Sequence, residues 1–214
     1  GELIRLPPPP LQPVVGLEAR VEAYKRQLRW RADLGGNRAP TVLGETGVPL
    51  DIVGAERLRR GELAPAEEAI DAHLRALEEL FLPFCWWNYT PENSHTNGDG
   101  WNGENLSVFC EENGGGRCLT ALVRPGLVLC AGTPVSQSFN MKKGRYHCVF
   151  TASGADESVF FVPRLHFQRE ATSVAATPGS SVIWDEASQT ISYRAPRAGR
   201  AVLEMQRQSQ RVGR

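Results

Sequence analysis

Apolar residues recur at helical spacing in two stretches of the chain. The first stretch comprises Leu17, Val21, Tyr24 and Leu28, and the second comprises Ile70, Leu74, Leu77 and Phe81. A spacing of about three to four residues places such side chains on one face of a helix. The pattern predicts an amphipathic helix from about residue 17 to 33, ended by Gly35, and a second helix that begins near Pro65.

Each predicted helix is followed by a short, continuous run of apolar residues. These runs are residues 40–43 and 82–87, and their length and position predict buried strands. Helices that alternate with strands over short connections are typical of a parallel sheet, in which ligands bind at the carboxyl ends of the strands. This part of the chain is therefore predicted to be α/β.

The pattern changes at about residue 131, where short runs of β-branched and aromatic residues begin to alternate with turn residues. The predicted strands are 146–151, 158–162, 181–184, 190–193 and 201–205. They predict an all-β module, a small β-sandwich. The four prolines at 7–10 predict an extended lead-in. The expected organisation is a lead-in at 1–16, an α/β region at 17–130 and a β-sandwich at 131–214.

The composition is that of an ordinary globular protein, with 41% apolar and 22% charged residues. Lys plus Arg and Asp plus Glu number 24 each, so no net charge favours nucleic acid as a partner. The basic residues Arg207, Arg211 and Arg214 are interpreted as a solvated tail. No run approaches the roughly 20 apolar residues of a membrane helix, and no signal peptide is recognisable. These observations slightly favour a cytoplasmic location and leave the compartment open.

The five cysteines form no pair at the spacing of a zinc site, and no histidine accompanies them at such a spacing. No metal site is therefore predicted. Cys110 and Cys118 flank a glycine-rich turn at 114–116. They could close a small disulfide loop in an oxidising compartment, and the favoured alternative is that they are free thiols.

A lone carboxylate follows the first predicted strand. Glu45 lies between Gly44 and Gly47, where small neighbours allow a sugar ring to approach the backbone. A glycosidase needs one carboxylate near the anomeric carbon and a second carboxyl group that protonates the leaving oxygen. Glu45 suits the first role. Taken alone, such a glutamate is more often a loop carboxylate that backbone N–H groups satisfy.

Aromatic and polar residues follow the second predicted strand. Trp86 and Trp87 are adjacent and point to opposite sides of a strand, so we assign Trp86 to the core and Trp87 to a sugar-binding platform. Asn88 and Tyr89 offer donors to sugar hydroxyls. Further substrate-binding candidates lie in the polar loop at 91–106: Asn93, Asp99, Trp101, Asn102 and Glu104. The alternative for this loop is a surface segment built on side-chain turns.

Three segments carry a more specific signal together than any one of them does alone. They are LGETGVPLD at 43–51, WNYTPENSH at 87–95 and GDGWNGENLS at 98–107. In this order they resemble the C-terminal half of the endoglycoceramidase and glucosylceramidase-like members of glycoside hydrolase family five. Residues 123–125 and 131–134 are similar to the passage from the barrel into the C-terminal β-sandwich of that family. The resemblance covers nearly all of the chain after about residue 17.

The resemblance implies that the α/β region is the last two strand–helix units of a (β/α)8 TIM barrel. It also implies that Glu45 is the retaining nucleophile at the end of the seventh strand, that Trp87 on the eighth strand lines the sugar subsite, and that no cofactor is needed. A complete barrel takes roughly 200 to 250 residues, and the acid/base glutamate of the family has no counterpart before Glu45. We therefore expect the C-terminal part of an enzyme, inactive without the missing N-terminal half of the barrel. Asn105 stands where the family usually has an acidic residue, which affects the hydrogen bonding expected of its loop.

The favoured function is retaining β-glycosidase activity on a glycolipid such as glucosylceramide, another glycosphingolipid or a steryl glucoside. Such an enzyme meets a membrane surface through its lipid substrate. The alternative is a non-catalytic carbohydrate- or glycolipid-binding protein that retains the sugar-facing loops. The sequence leaves open which sugar and aglycone are bound.

Overall fold

The computed structural model describes residues 14–36, 39–154 and 156–208. The predicted lead-in up to residue 13 and the basic residues Arg211 and Arg214 lie outside these residues. The α-helices within them are α1 (Leu17–Ala32), α2 (Ala55–Arg59), α3 (Ala64–Glu79) and α4 (Leu119–Leu122). Helices α1 and α3 are the two that the apolar spacing predicts. None of the helices in the described part of the chain combines the length and the hydropathy needed to cross a membrane.

Strands β1 (Leu43–Thr46) and β2 (Phe84–Trp86) form a two-stranded parallel sheet. Helices α1 and α3 cover one face of this sheet, where Leu43, Phe84 and Trp86 pack against the buried side chains of the helices. The other face carries exposed residues, among them Val42 and Cys85. Parallel sheets are normally buried on both faces, whereas the described residues cover this sheet on one side only.

A long loop connects β2 to a small hairpin. The hairpin strands are β3 (Phe109–Cys110) and β4 (Gly115–Gly116), and Cys110 pairs with Gly115. Helix α4 follows and packs against α3. Cys110 and Cys118 are both buried free thiols, and burial raises the pKa of Cys118 to about 12.

Eight strands after the hairpin form two antiparallel sheets of four strands each. They are β5 (Gly126–Leu129), β6 (Gly132–Asn140), β7 (Arg145–Ala152), β8 (Glu157–Phe161), β9 (Thr172–Ala176), β10 (Ser181–Asp185), β11 (Thr190–Arg194) and β12 (Gly199–Arg207). The sheet orders are β10–β11–β8–β5 and β6–β7–β12–β9. Strand β5 pairs with β8, so the sheets begin before residue 131, where the sequence pattern changes.

A single aromatic cluster lies between the two sheets. Phe160 and Tyr193 come from one sheet and Tyr146 and Phe150 from the other, and all of these side chains are buried. The rings of Phe150 and Tyr193 meet edge to face at 5.3 Å, which is a favoured arrangement for aromatic pairs. The two inner faces therefore share one core, as in a β-sandwich.

A buried ion-pair network joins the sandwich to helix α3. The guanidinium of Arg124 lies 2.5 Å from Glu78 and 2.7 Å from Asp71. It also donates to the carbonyl oxygen of Phe139 and stacks over the Phe139 ring. Met141 packs against the hydrophobic cores of both regions. These contacts fix the position of the sandwich relative to the helices.

Candidate active site

Glu45 lies on the face of the β1–β2 sheet that the helices leave uncovered. The opposite face is marked by Thr46, whose Oγ1 is 2.7 Å from Nε2 of His73 on α3. Glu45 precedes Thr46 and is exposed. An irregularity in the strand pairing between Leu43 and Thr46 allows both of these residues to face the helices although they are three positions apart. The sequence predicts a strand at 40–43, but β1 runs from Leu43 to Thr46, so the two overlap only at Leu43. The backbone N–H of Trp87 donates to the carbonyl oxygen of Thr46 at 2.7 Å and holds the end of β1 beside β2. Glu45 therefore stands on the last residues of the strand rather than in the following loop.

The two glycines beside Glu45 differ in their surroundings. A Cβ atom on Gly47 would overlap with the carbonyl oxygen of Trp87, whereas a Cβ on Gly44 would meet open space. Gly47 is therefore needed so that the chain after β1 can approach the end of β2 closely. The close approach of a sugar ring to the backbone at Gly44 remains a prediction.

The two adjacent tryptophans have different environments. Trp86 packs into the helix-covered core, 6.1 Å from the His73 ring. Trp87 is 36% exposed, and its indole N–H donates to a carboxylate oxygen of Glu104 at 3.4 Å. Since neighbouring residues of a strand point to opposite faces, Trp87 shares the uncovered face with Glu45. The Glu104 carboxylate restrains the orientation of that ring.

Asp99 is the centre of a hydrogen-bond network inside the loop after β2. One of its oxygens accepts from Asn93 Nδ2 at 2.6 Å and from the backbone N–H of Ser107 at 3.2 Å. The other accepts from Asn88 Nδ2 at 3.1 Å and from the backbone N–H of Leu106 at 2.8 Å. Four donors of the chain itself thus occupy the carboxylate. These bonds bring Asn88, Asn93 and Asp99 together and organise the loop, while direct contact of the three residues with substrate remains a prediction.

Buried Arg117 completes this network from the other side. Its guanidinium donates to Asn105 Oδ1 at 3.0 Å and to the carbonyl oxygen of Ser107. Asn105 Oδ1 also accepts from Asn93 Nδ2 at 3.1 Å. Burial lowers the pKa of Arg117. Asn105, at the position where the family usually has an acid, therefore acts as a neutral acceptor between an amide and a guanidinium.

Sequence reasoning missed Arg117 and Ser107 as members of the site. Ser107 Oγ accepts from the backbone N–H groups of Thr90 and Phe109 and donates to the carbonyl oxygen of Thr90. The only local feature is that Arg117 lies between the glycine-rich turn and Cys118. This feature alone does not predict a role in the site. Their roles depend on contacts with residues about 10 to 17 positions away along the chain.

The remaining candidates lie at the surface of the loop. Tyr89 is 65% exposed, with its ring 5.7 Å from that of Phe109, and Trp101 is 62% exposed. Asn102 is exposed and has a left-handed backbone with φ of 49°, a conformation that asparagine tolerates better than most residues. The structure thus gathers Asn88, Asn93 and Asp99 in the interior of the loop and leaves the other candidates on its surface.

Comparison with known proteins assigns the family. The model of the glycoside hydrolase family 5 C-terminal domain matches residues 124–203. A glucosylceramidase of Cryptococcus neoformans var. grubii is 31% identical over 172 residues, which are 67% of this chain and 23% of that protein. The resemblance to glycoside hydrolase family 5 is confirmed. The similarity to the glucosylceramidase extends beyond the sandwich, because its 172 aligned residues exceed the length of the matched C-terminal domain.

Two further relatives are similar to parts of this chain. A glucosylceramidase of Rhizopus delemar is 31% identical over 60% of this chain and 22% of its own length. An ergosteryl-beta-glucosidase of Saccharomyces cerevisiae is 31% identical over 36% of this chain and 10% of its own length. The chain therefore spans about a quarter or less of the curated relatives that it matches.

A solved structure supports the fold. The crystal structure of Cryptococcus neoformans sterylglucosidase 1 superposes with a TM-score of 0.80 at 22% identity, and the match covers 90% of this chain and 33% of that one. At this level of identity the match is evidence for the fold alone. It agrees with the arrangement of a helix-covered parallel sheet followed by two antiparallel sheets.

Proposed function

We propose that this chain is the nucleophile-bearing part of a retaining β-glycosidase that acts on a glycolipid. The observation that carries the proposal is the position of Glu45 and Trp87 on one uncovered face, at the carboxyl ends of two adjacent parallel strands. This is where parallel sheets bind their ligands. The resemblance to family 5 gives the same two residues the roles of nucleophile and sugar platform.

The β1–β2 pair is, in this proposal, the last two strands of a (β/α)8 barrel. Support comes from its one-sided cover, since barrel strands bury one face under helices and the other inside the barrel. The barrel portion would comprise about residues 17–130 and the sandwich the residues after it. Further strands would cover the exposed face and supply the general acid/base.

The proposed chemistry uses two carboxyl groups. The Glu45 carboxylate attacks the anomeric carbon while the acid protonates the leaving glycosidic oxygen, and a glycosyl ester with Glu45 results. Water, activated by the same acid/base residue, then releases the sugar. The exposed indole of Trp87, restrained by Glu104, offers an apolar face for the pyranose ring. The 214-residue chain alone is expected to show no appreciable turnover, because the second carboxyl group has no assignment in it.

The proposed substrates are glucosylceramide, a related glycosphingolipid or a steryl glucoside. Support comes from the names of the relatives, which are glucosylceramidases and an ergosteryl-beta-glucosidase. The lipid part of such a substrate would bring the enzyme to a membrane surface. The sandwich is proposed to act as an accessory domain that is fixed to the barrel through Arg124.

The test uses a protein that contains the complete barrel. Glu45→Gln is expected to abolish hydrolysis and to leave glycolipid binding largely intact, because the amide keeps the shape but cannot form the ester. Trp87→Ala is expected to weaken binding and turnover together, since ring packing acts in both the ground state and the transition state. Glu92→Gln is the matched control. It changes an exposed carboxylate in the loop after β2 and is expected to retain turnover.

The measurements are hydrolysis of a panel of glycolipids and binding of the same glycolipids. Near-normal turnover by Glu45→Gln would exclude Glu45 as the nucleophile. Binding without hydrolysis in the unmodified protein would favour the non-catalytic glycolipid-binding function instead.

A further inference from the structure

Three side chains with metal-binding atoms meet beside the loop that carries the sugar-site candidates. They are His95 from the loop, Cys110 from β3 and Glu112 from the turn between β3 and β4. One ligand atom from each lies within 4.8 Å of the other two. The residues are 15 and two positions apart along the chain, so this grouping depends on the hairpin and carries no zinc-motif spacing.

The hydrogen bonds of Asn113 fix the proton on the His95 ring. Asn113 Nδ2 donates to the carbonyl oxygen of Leu58 at 3.1 Å, which orients the amide so that its oxygen faces the histidine. Asn113 Oδ1 lies 3.1 Å from His95 Nε2. A carboxamide oxygen only accepts, and therefore Nε2 carries the hydrogen.

The other ring nitrogen of His95 faces a carboxylate. Nδ1 lies 2.7 Å from Glu112 Oε2, and the backbone N–H of His95 holds the same oxygen at 2.9 Å. With the hydrogen on Nε2, the lone pair of Nδ1 faces the Glu112 carboxylate. A divalent cation held by both groups would satisfy these two acceptors.

We propose that His95 Nδ1, Cys110 Sγ and the Glu112 carboxylate bind a zinc-like divalent transition-metal ion. Imidazole, thiolate and carboxylate are the ligands that zinc takes in proteins, at about 2.0 to 2.3 Å. The bond from Nε2–H to Asn113 is the outer-sphere contact that typically orients a metal-binding histidine. Glu112 is about half exposed, so its side chain is free to adjust to an ion, and water can supply a fourth ligand.

The ion would tie the loop after β2 to the hairpin that follows it. His95 belongs to the same loop as Asn93 and Asp99, and Cys110 is fully buried on β3. Binding would release the proton of the Cys110 thiol to solvent, because the thiolate is the ligand. The site is thus a structural clamp on the loop, and it stands independently of the proposed glycosidase activity.

The test uses the purified 214-residue chain, freed of metal by a chelator and titrated with Co²⁺, a spectroscopic substitute for zinc. We expect one Co²⁺ per chain, a thiolate-to-cobalt charge-transfer band and the visible bands of a tetrahedral ion, all displaced by zinc. Cys110→Ser is expected to remove the charge-transfer band. Cys85→Ser, on an exposed cysteine outside the group, is the matched control and is expected to keep it.

Glu112→Gln covers the case in which Cys110→Ser does not fold, because Glu112 is at the surface. This variant is expected to weaken Co²⁺ binding on the order of tenfold or more, and to lose the rise in melting temperature that zinc gives the unmodified chain. Absence of the charge-transfer band in the unmodified chain would overturn the proposal in favour of a His95–Glu112 ion pair. Its loss in Cys85→Ser, or unchanged affinity in Glu112→Gln, would equally overturn it.

Discussion

The two regions of the molecule bury their apolar residues in different ways. In the sandwich, two sheets enclose an aromatic cluster in which Phe160 is fully buried. In the helical region, α1 and α3 cover only one face of the β1–β2 sheet, and Val42 on the other side is 56% exposed. The sandwich therefore encloses its own core, whereas the sheet that carries Glu45 has one face that none of the described helices covers. The candidate chemistry lies on that incomplete face.

The largest expected difference appears when the regions are separated. A polypeptide of residues 124–208 is expected to be soluble and to unfold cooperatively, because both of its sheets keep their shared core. Residues 14–123 alone are expected to aggregate or remain molten, since exposed apolar faces and open sheet edges invite association. Circular dichroism during thermal unfolding and size-exclusion chromatography measure both outcomes. An insoluble or molten sandwich would remove the contrast between the two regions.

Truncation of one side chain in each region sharpens the same comparison. Phe160→Ala is expected to lower the free energy of unfolding by about 3 to 5 kcal/mol, because the Phe160 ring contacts Tyr146, Phe150 and Tyr193. Val42→Ala is expected to change it by about 0.5 kcal/mol or less. Urea denaturation of the 214-residue chain gives both values, and equal losses would show that the face near Val42 is covered.

The junction between the regions depends on buried charge. Arg124→Met is expected to destabilise the chain by about 3 to 5 kcal/mol, since it leaves Asp71 and Glu78 buried without their partner. The matched control is Arg145→Met, which removes an ion pair with Glu204 at the surface and should cost about 1 kcal/mol or less. Denaturation at neutral pH distinguishes the two, and a small effect of Arg124→Met would mean that water reaches the junction.

The smallest expected effect is a pH dependence of the helical region. Burial lowers the pKa of His73 from 6.5 to about 4, so the unfolded chain binds a proton more readily than the folded one. The stability contributed by neutral His73 is full above pH 6.5 and is lost as the pH falls towards 4, by about 3 kcal/mol at most.

His73→Gln is the corresponding variant, because its amide can still bond to Thr46 Oγ1 but does not titrate. The difference in unfolding free energy between the unmodified chain and this variant should shift in favour of the variant between pH 6.5 and 4. Burial also lowers the pKa of His166 near the sandwich, and this contribution cancels because both proteins contain it. A difference that is independent of pH would show that His73 is accessible to water.

Local patterns predicted the two long helices and five strands of the sandwich, but not α2, α4 or the β3–β4 hairpin. The spacing of apolar residues predicted α1 and α3, and alternating residues predicted five of the sandwich strands within one or two residues of their ends. Strands β5, β6 and β9 were not predicted, and in β5 and β6 the exposed positions include apolar residues such as Val128 and Val135. The periodicity that marks a strand with one buried face is blurred in such segments.

The candidate site was predicted in its residue types and only partly in its geometry. Glu45 and Trp87 follow from their places after apolar runs and from the resemblance to family 5. The four donors to Asp99, the buried position of Arg117 and the grouping of His95 with Cys110 do not follow from either. The path of the loop determines these hydrogen-bond partners, and no short-range sequence pattern predicts that path.

Neighbouring side chains and ordered motifs were enough to predict the two long helices, most of the strands, the resemblance to family 5 and the candidates Glu45 and Trp87. Long-range packing determines which face of the β1–β2 sheet stays open, how Arg124 joins the sandwich to α3, and which polar groups meet in the loop after β2. The physical reason is that these features are contacts between residues far apart in the chain, such as Arg124 and Asp71. Their formation depends on packing of the whole molecule rather than on the local preference of any segment.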